Sequence, residues 1–217
     1  FIKNGAPHCT FRFLPEKIPS FEDLNVPGDT MIQLGKLHHG LVLITGMTGS
    51  GKSTTMAALV DWINTNKAIH ILSIENPVEY VHSNKKAVVS QRSTGADVRT
   101  FFDAVTGALR HDPDVIVIGE MRDPDTIRAA INAAATGHLV ISTLHSNTAS
   151  EVINRIVSFF DPVERDLVGR LQPDGHPAHA HVSGHGHLGV VPRDRVDGAA
   201  ALGVEGVVGH QHAADHA

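Results

Sequence analysis

The chain has 217 residues, enough for one compact domain with a short appendage, and its 41% hydrophobic and 5% aromatic content predicts an aliphatic core. The formal net charge of −5 argues against a strongly basic surface, so we expect no nucleic-acid partner. The single cysteine, Cys9, excludes an intramolecular disulfide framework and a CxxC zinc site, and it suits a reducing cytoplasm. No apolar run reaches the roughly 18 residues of a membrane span, and no signal peptide is visible. Because the chain opens at Phe1 rather than Met, we expect a fragment.

The first 36 residues combine scattered apolar positions with turn-forming prolines. The run from Ser20 to Leu24 predicts a short capped turn, which leads into a helix near residues 30–37.

Between residues 40 and 168, short apolar runs alternate with helical patterns. Such alternation predicts a parallel α/β sheet with right-handed crossovers. The predicted strands are 41–44, 69–74, 87–89, 115–118 and 139–143, and the predicted helices are 52–64, 98–109, 123–135 and 148–159.

The composition changes abruptly at about Gly169. Eight of the sixteen histidines lie in the last 48 residues, which contain no Lys, Ile, Phe, Met, Thr, Asn, Tyr or Trp. Apolar residues there show no sustained period, so we expect residues 169–217 to be poorly ordered. A translation in the wrong reading frame would explain this mixture. The rival interpretation is a metal-binding tail that uses the pairs His179 and His181, His185 and His187, and His210 and His212.

A phosphate-binding motif follows the first predicted strand. The segment Gly-Met-Thr-Gly-Ser-Gly-Lys-Ser, residues 46–53, satisfies G-x-x-x-x-G-K-[ST] and opens a predicted helix. The glycines let backbone N–H groups and the helix N-terminus face an anion. We expect Lys52 to reach the β- and γ-phosphates of a nucleotide and the Ser53 hydroxyl to bind Mg²⁺.

The apolar strand 115–118 is followed by Gly119 and Glu120. A carboxylate delivered beside a phosphate loop can accept a proton from an attacking water, and this pairing favours a catalytic Glu120 over a solvated strand end.

Four ordered blocks carry a family resemblance over about residues 9–168. They are 109–114 with 119–123, an "aspartate box" at 74–80, a "histidine box" at 136–145, and Asn154-Arg155-Ile156-Val157. This pattern resembles the secretion ATPases of the type II/type IV pilus class. Residues 11–19, 120–123 and 126–128 are most similar to the pilus-retraction motors within that class.

The resemblance implies a RecA-like, Mg²⁺-dependent ATPase domain at residues 37–168, with 1–36 as a linker from a missing N-terminal domain. It implies that Glu79 supports the metal through water, together with Ser53, and that His138 and His145 sense the γ-phosphate. The ATP-binding residues implied are Gly46, Thr48, Gly49, Ser50, Gly51, Lys52, Ser53 and Thr54. Arg92, Arg110, Arg122 and Arg155 are candidates to bind phosphate or a neighbouring subunit.

Several of these candidates, together with Glu75 of the same "aspartate box", also have a plainer structural interpretation. Glu75 and Glu79 could be solvated turn residues, His145 a satisfied strand-end histidine, and any one arginine part of a surface salt bridge.

The function that the resemblance implies is ATP hydrolysis coupled to retraction of a type IV pilus. The family works as a homohexamer on an inner-membrane platform protein, peripheral to the membrane at its cytoplasmic face. The alternatives are a pilus-assembly or type II secretion ATPase, and a non-hydrolytic nucleotide-binding subunit. The non-hydrolytic alternative is considered because Asn76 stands where the family usually has Asp, and Asn lacks the negative charge. Met47 stands where the family usually has Pro, and this difference changes only the stiffness of the loop.

Overall fold

The computed structural model describes residues 13–146 and several shorter pieces of the chain. The shorter pieces are residues 2–3, 6–7, 9, 152, 156–160, 186–190 and 204–206. At the N-terminus, β1 (Ile2–Lys3) pairs antiparallel with β2 (Ala6–Pro7). The elements that follow are α1 (Gly28–Lys36), β3 (Gly40–Gly46), α2 (Lys52–Asn66), β4 (His70–Glu75), β5 (Val88–Ser93), α3 (Phe101–Ala108), a 3₁₀ turn (Leu109–His111), β6 (Val115–Ile118), α4 (Pro124–Ala135), β7 (Leu139–Leu144), β8 (Gly186–Val190) and β9 (Val204–Gly206).

Seven strands form one sheet in the order β5-β4-β6-β7-β3-β8-β9. The first five strands run parallel, and β8 and β9 are added antiparallel at the side of β3. The predicted α/β fold with a mainly parallel sheet is confirmed. Because parallel strands end at the same edge of a sheet, the residues that follow β3, β4, β6 and β7 lie on one side of the molecule.

Both faces of the sheet are covered, which explains the uninterrupted apolar runs of the central strands. Successive side chains of a strand point to opposite faces. Leu43 and Ile116 therefore pack with α3 and α4, whereas Val42 and Val117 pack with α1 and α2. All residues of β3, β6 and β7 are buried.

The segment before β3 packs onto the sheet domain. Met31 and Leu34 of α1 are buried with Leu59 of α2, in the same core as Phe21. A Cβ at Gly35 would lie 2.4 Å from the ring of Trp62, so glycine is needed for this close approach. The capped turn predicted at residues 20–24 forms, because the side chains of Ser20 and Asp23 each accept a hydrogen bond from the other's backbone N–H.

Of the predicted elements that the structure describes in full, two differ most in extent from the observed ones. The strand predicted at 87–89 extends to Ser93, and the helix predicted from Val98 begins at Phe101. The later start follows from Thr100, whose hydroxyl caps the helix by accepting from the Asp103 N–H at 3.0 Å. Of the helix predicted at 148–159, residues 152 and 156–158 are helical, and 148–151 and 153–155 lie outside the described residues. No helix in the described part of the chain is long and apolar enough to cross a membrane.

The sequence predicts no strand after residue 169, yet β8 pairs with β3 and β9 pairs with β8. The register places Val190 opposite Val42 and Gly186 opposite Gly46. The other residues of 169–217 lie outside the described part of the chain. Of the six histidines in the three pairs, the structure describes only His187. The hypothesis of a shifted reading frame stays a prediction.

Candidate nucleotide site

The phosphate loop connects the end of β3 to the first turn of α2. Gly49 and Gly51 have φ values of 80° and 87°, in the left-handed region that side chains with a Cβ rarely adopt. Gly51 is the N-cap of α2, so the loop turns directly into a helix N-terminus. Ser50 Oγ is buried and has no hydrogen-bond partner among the described residues. An unpaired buried hydroxyl in such a loop indicates that a polar ligand belongs there.

Lys52 folds back onto the loop that precedes it. Its Nζ donates to the carbonyl oxygens of Gly46 at 2.9 Å and Met47 at 2.8 Å. Burial lowers the pKa of Lys52, and the negative charge of Glu120 opposes this shift. The ammonium is thus held at the loop by weak neutral acceptors that phosphate oxygens can replace.

Glu120 lies just beyond β6 and is held from two sides. Its Oε1 is 3.0 Å from His145 Nε2, and its Oε2 is 2.6 Å from Arg122 Nη2. The hydrogen bond to Glu120, and then its charge, raise the pKa of Arg122. The strand order explains this arrangement, because β7 lies between β3 and β6 and delivers His145 between the phosphate loop and Glu120.

Two backbone contacts fix the turn that carries Glu120. The hydroxyl of Thr143 donates to the Gly119 carbonyl at 2.6 Å, and the Met121 N–H donates to the Thr143 carbonyl at 3.1 Å. A Cβ at Gly119 would lie 3.3 Å from the Cα of Glu75. The turn therefore packs closely against the end of β4. Sequence reasoning missed Thr143, although two adjacent hydroxyl residues, Ser142 and Thr143, in a strand that is otherwise apolar were a visible signal.

The segment after β4 closes the site from another side. The hydroxyl of Tyr80 donates to Thr54 Oγ1 at 3.1 Å, and the Glu79 N–H donates to Glu75 Oε2 at 3.3 Å. The Ser73 hydroxyl donates to the other Glu75 oxygen. Glu75 is nearly buried, so these hydrogen bonds satisfy a carboxylate that water can barely reach.

These parts surround a single cavity of about 530 Å³, a volume typical of small-molecule sites. Its lining includes most of the predicted site: Thr48, Gly49, Gly51, Lys52, Ser53, Thr54, Glu79, Glu120, Arg122 and His145. Gly46 and Ser50 belong to the same loop, so the structure brings together every predicted ATP-binding residue. The lining also contains Glu75, Asn76, Phe101 and Thr143.

The oxygen donors of the cavity suit Mg²⁺. Ser53, Glu75 and Glu79 line one cavity, and the oxygen atoms of such side chains are the hard ligands that Mg²⁺ prefers. Among the described residues, no group of three His, Cys, Asp or Glu side chains could hold a metal. A metal here would therefore be held by one or two protein groups together with phosphate oxygens and water, as Mg²⁺ commonly is.

Three predicted residues, His138, Arg92 and Arg110, do not join this site. His138 precedes β7, at the opposite edge of the sheet from His145, and its ring contacts the Ala133 carbonyl at 3.0 Å. The structure thus corrects the expectation that both histidines lie at the phosphates of one chain, because the six residues of β7 separate them. Arg92 points to the His111 ring at 3.3 Å, and Arg110 is exposed on the 3₁₀ turn. Arg155 lies outside the described residues.

The fold and the cavity define a domain of the P-loop nucleotide-binding class. A family model described as type II/IV secretion system protein matches residues 16–162. The chain belongs to this family.

The relatives agree with this assignment. The chain is 46% identical over 168 residues to the type IV pilus retraction ATPase PilT of Pseudomonas aeruginosa, a match that covers 77% of this chain and 48% of that protein. It is equally identical over 168 residues to a twitching motility protein of Neisseria gonorrhoeae, covering 77% of this chain and 45% of the relative. A crystal structure of the pilus retraction motor PilT with bound ADP matches with a TM-score of 0.71 and 50% identity, covering 74% of this chain and 46% of that one. The chain spans about half the length of these relatives.

Proposed function

We propose that this protein binds ATP with Mg²⁺ and hydrolyses it, with Glu120 as the general base. The observation that carries the proposal is that Glu120, which follows β6, lines one cavity with Lys52 and Ser53, which follow β3. A phosphate loop beside a positioned carboxylate is the arrangement that phosphoryl transfer to water requires.

The positions of the side chains support the roles proposed for them. Lys52 exchanges the carbonyl oxygens of Gly46 and Met47 for β- and γ-phosphate oxygens. Ser53 and, through water, Glu79 would hold Mg²⁺, which would supply positive charge against those phosphates. Glu120 accepts the proton of the attacking water, while His145 and Arg122 fix the direction of its carboxylate.

We further propose that the full-length protein uses this hydrolysis to retract a type IV pilus. The names of the relatives from Pseudomonas and Neisseria support retraction over pilus assembly or type II secretion. In this proposal the protein works as a homohexamer on an inner-membrane platform protein, at the cytoplasmic face of the membrane. The non-hydrolytic alternative is less favoured, because Glu75 and Glu79 keep two carboxylates at the cavity beside Asn76.

The test has two stages. Isothermal calorimetry with ATP and Mg²⁺, followed by phosphate release, measures binding and turnover in this chain. A chimera in which residues 13–146 replace the matching segment of the Pseudomonas relative is then expressed in a strain that lacks its retraction ATPase. We expect twitching motility to be restored by the chimera and not by its Glu120→Gln variant. Restored piliation in a strain that lacks its assembly ATPase would instead support the alternative.

A further inference from the structure

Gln91 lies in β5, at the edge of the described sheet, and uses both ends of its amide. Its Nε2 donates to Glu75 Oε1 at 3.2 Å and to the Tyr80 carbonyl at 2.8 Å. Its Oε1 accepts from the His82 N–H at 2.8 Å. One half-buried side chain thus ties the end of β4 to two points of the segment that follows it.

The register of the sheet explains why a side chain of β5 reaches the site. Gln91 is the register partner of Ser73 in β4, and residues two apart in a strand share a face, so Ser73, Glu75 and Gln91 lie together. Glu75 Oε1 accepts hydrogen bonds from both Ser73 and Gln91. Neighbouring Ser90, on the opposite face, contacts the ring of His70 instead, at 3.1 Å.

The contacts continue from Gln91 to the lining of the nucleotide cavity along two short routes. On the first, Glu75 accepts the N–H of Glu79, a cavity residue. On the second, Tyr80, whose carbonyl is held by Gln91, donates its hydroxyl to Thr54 in the first turn of α2. A small cavity of about 10 Å³, room for about one water, is bordered by Ser53, Glu75 and Glu79, so the segment packs directly over that turn.

We propose that Gln91 is a positioning residue for the metal side of the nucleotide site: it holds Glu75 and residues 79–82 so that Glu79 faces the Ser53 hydroxyl. The inference rests on the proposed function, because it concerns the same site. Loss of the Gln91 side chain would leave the phosphate loop in place, and with it the groups that donate hydrogen bonds to the phosphates. The predicted defect is therefore confined to the contribution that Mg²⁺ makes to nucleotide binding.

Two variants of Gln91 separate its acceptor from its donors. Gln91→Leu removes all three hydrogen bonds with little change of volume. Gln91→Glu keeps an acceptor for the His82 N–H but loses both donated bonds and places a negative charge beside Glu75. Ser90→Ala is the matched control, because it changes the same strand on its other face.

The readout is the affinity for fluorescent ADP, measured with Mg²⁺ and again with EDTA, for the whole chain and each variant. For both Gln91 variants we expect the ratio of the ADP affinity with Mg²⁺ to the ADP affinity in EDTA to be about tenfold smaller than in the parent. The affinity in EDTA itself should stay within about twofold of the parent value. Hydrogen exchange of the nucleotide-free chain gives a second readout. The His82 amide should exchange faster in Gln91→Leu, stay protected in Gln91→Glu, and keep the parent rate in Ser90→Ala.

The outcomes separate the inference from the function on which it rests. If the parent gains affinity with Mg²⁺ and both Gln91 variants gain as much, the positioning role is overturned while the proposed site stands. An equal loss in Ser90→Ala would also overturn it, because the effect would then belong to the strand in general. A parent that binds ADP equally with and without Mg²⁺ would overturn the proposed metal site itself.

Discussion

The guanidinium of Arg122 donates a hydrogen bond to the carboxylate of Glu120, with Nη2 2.6 Å from Oε2. Both residues lie in the segment that directly follows β6. The Arg122 side chain is 73% exposed and that of Glu120 only 18%. An ion pair this open contributes little to stability, so its value lies in directing the carboxylate.

Replacing Arg122 with Ala tests this directing role. We expect turnover to fall roughly tenfold, because a misdirected base reacts poorly, while the free energy of unfolding stays within about 1 kcal/mol of the parent. Phosphate-release kinetics and urea unfolding measure the two quantities. Arg99→Ala, which removes another exposed arginine, is the control and should change neither. A large loss of stability in Arg122→Ala would show that the pair is structural instead.

Replacing Lys52 with Ala removes the cation that the phosphate loop holds. Charged hydrogen bonds contribute about 1.5–3 kcal/mol, so we expect ATP affinity to fall about 10- to 100-fold. Calorimetry measures the dissociation constant. Lys67→Ala is the control, because its Nζ donates to the Leu37 carbonyl at 2.8 Å, before β3 and away from the cavity. Unchanged affinity in Lys52→Ala would refute the assignment of the loop.

Replacing Glu120 with Gln preserves the shape of the side chain and removes the base. ATP should still bind, and turnover should fall by about 10²-fold or more. Single-turnover phosphate release measures the chemical step, in a full-length relative if this chain does not turn over. Asp125→Asn, an exposed carboxylate in α4 that pairs with Arg128, should keep the parent rate. Hydrolysis near the parent rate in Glu120→Gln would mean that another group activates water.

The buried ring of His82 predicts a pH dependence of stability. Burial lowers its pKa below the ordinary 6.5, with Asp61 opposing and Lys85 reinforcing the shift; Glu75 and Glu79 border the same small cavity. Since the unfolded chain then binds the proton more tightly, this contribution to stability is complete above pH 6.5 and is lost as the pH falls toward the folded pKa.

Replacing His82 with Gln should therefore flatten the acid side of the stability curve. Urea unfolding measured from about pH 7 to about pH 5 gives the slope. His38→Gln, which removes an exposed histidine, should leave the slope as it is in the parent. A slope unchanged by His82→Gln would show that other groups carry the acid sensitivity.

Asn64 is fully buried in α2 and organises the segment between the site and β5. Its Nδ2 donates to the Ser83 carbonyl at 2.8 Å, and its Oδ1 accepts the Lys85 N–H at 3.1 Å. Asn64→Ala leaves both backbone groups without these partners and should cost about 2–4 kcal/mol of stability. Asn66→Ala, which loses only an exposed bond to the Trp62 carbonyl, should cost far less in the same urea titration.

The strands most completely predicted from sequence are those buried on both faces. The run 115–118 coincides with β6, because four consecutive apolar residues bounded by polar ones have few alternatives in a parallel sheet. β5 is only half predicted, since Ser90, Gln91 and Arg92 give no apolar signal at a sheet edge. Its polar half is set by tertiary hydrogen bonds, which local patterns do not contain.

The site was predictable where function and backbone share a motif. The phosphate loop is one continuous segment, so its residues lie close together in space because they are close together in the sequence. Glu120 and His145 come together only because β7 lies beside β6. The order of strands in a sheet cannot be predicted from the sequence of any one segment. His138 illustrates the limit, since it belongs to the same sequence block as His145 but β7 carries the two to opposite edges.

The close approach of Gly35 to Trp62 gives the chain an optical probe. Trp62 is its only tryptophan, and its ring lies where α1 meets α2. Undocking of the segment before β3 would bring water to the indole and shift its emission to longer wavelength, even while the sheet stays folded. Circular dichroism follows the helices and strands as a whole, so a fluorescence transition that precedes the dichroic one would mark that segment as a separately melting unit.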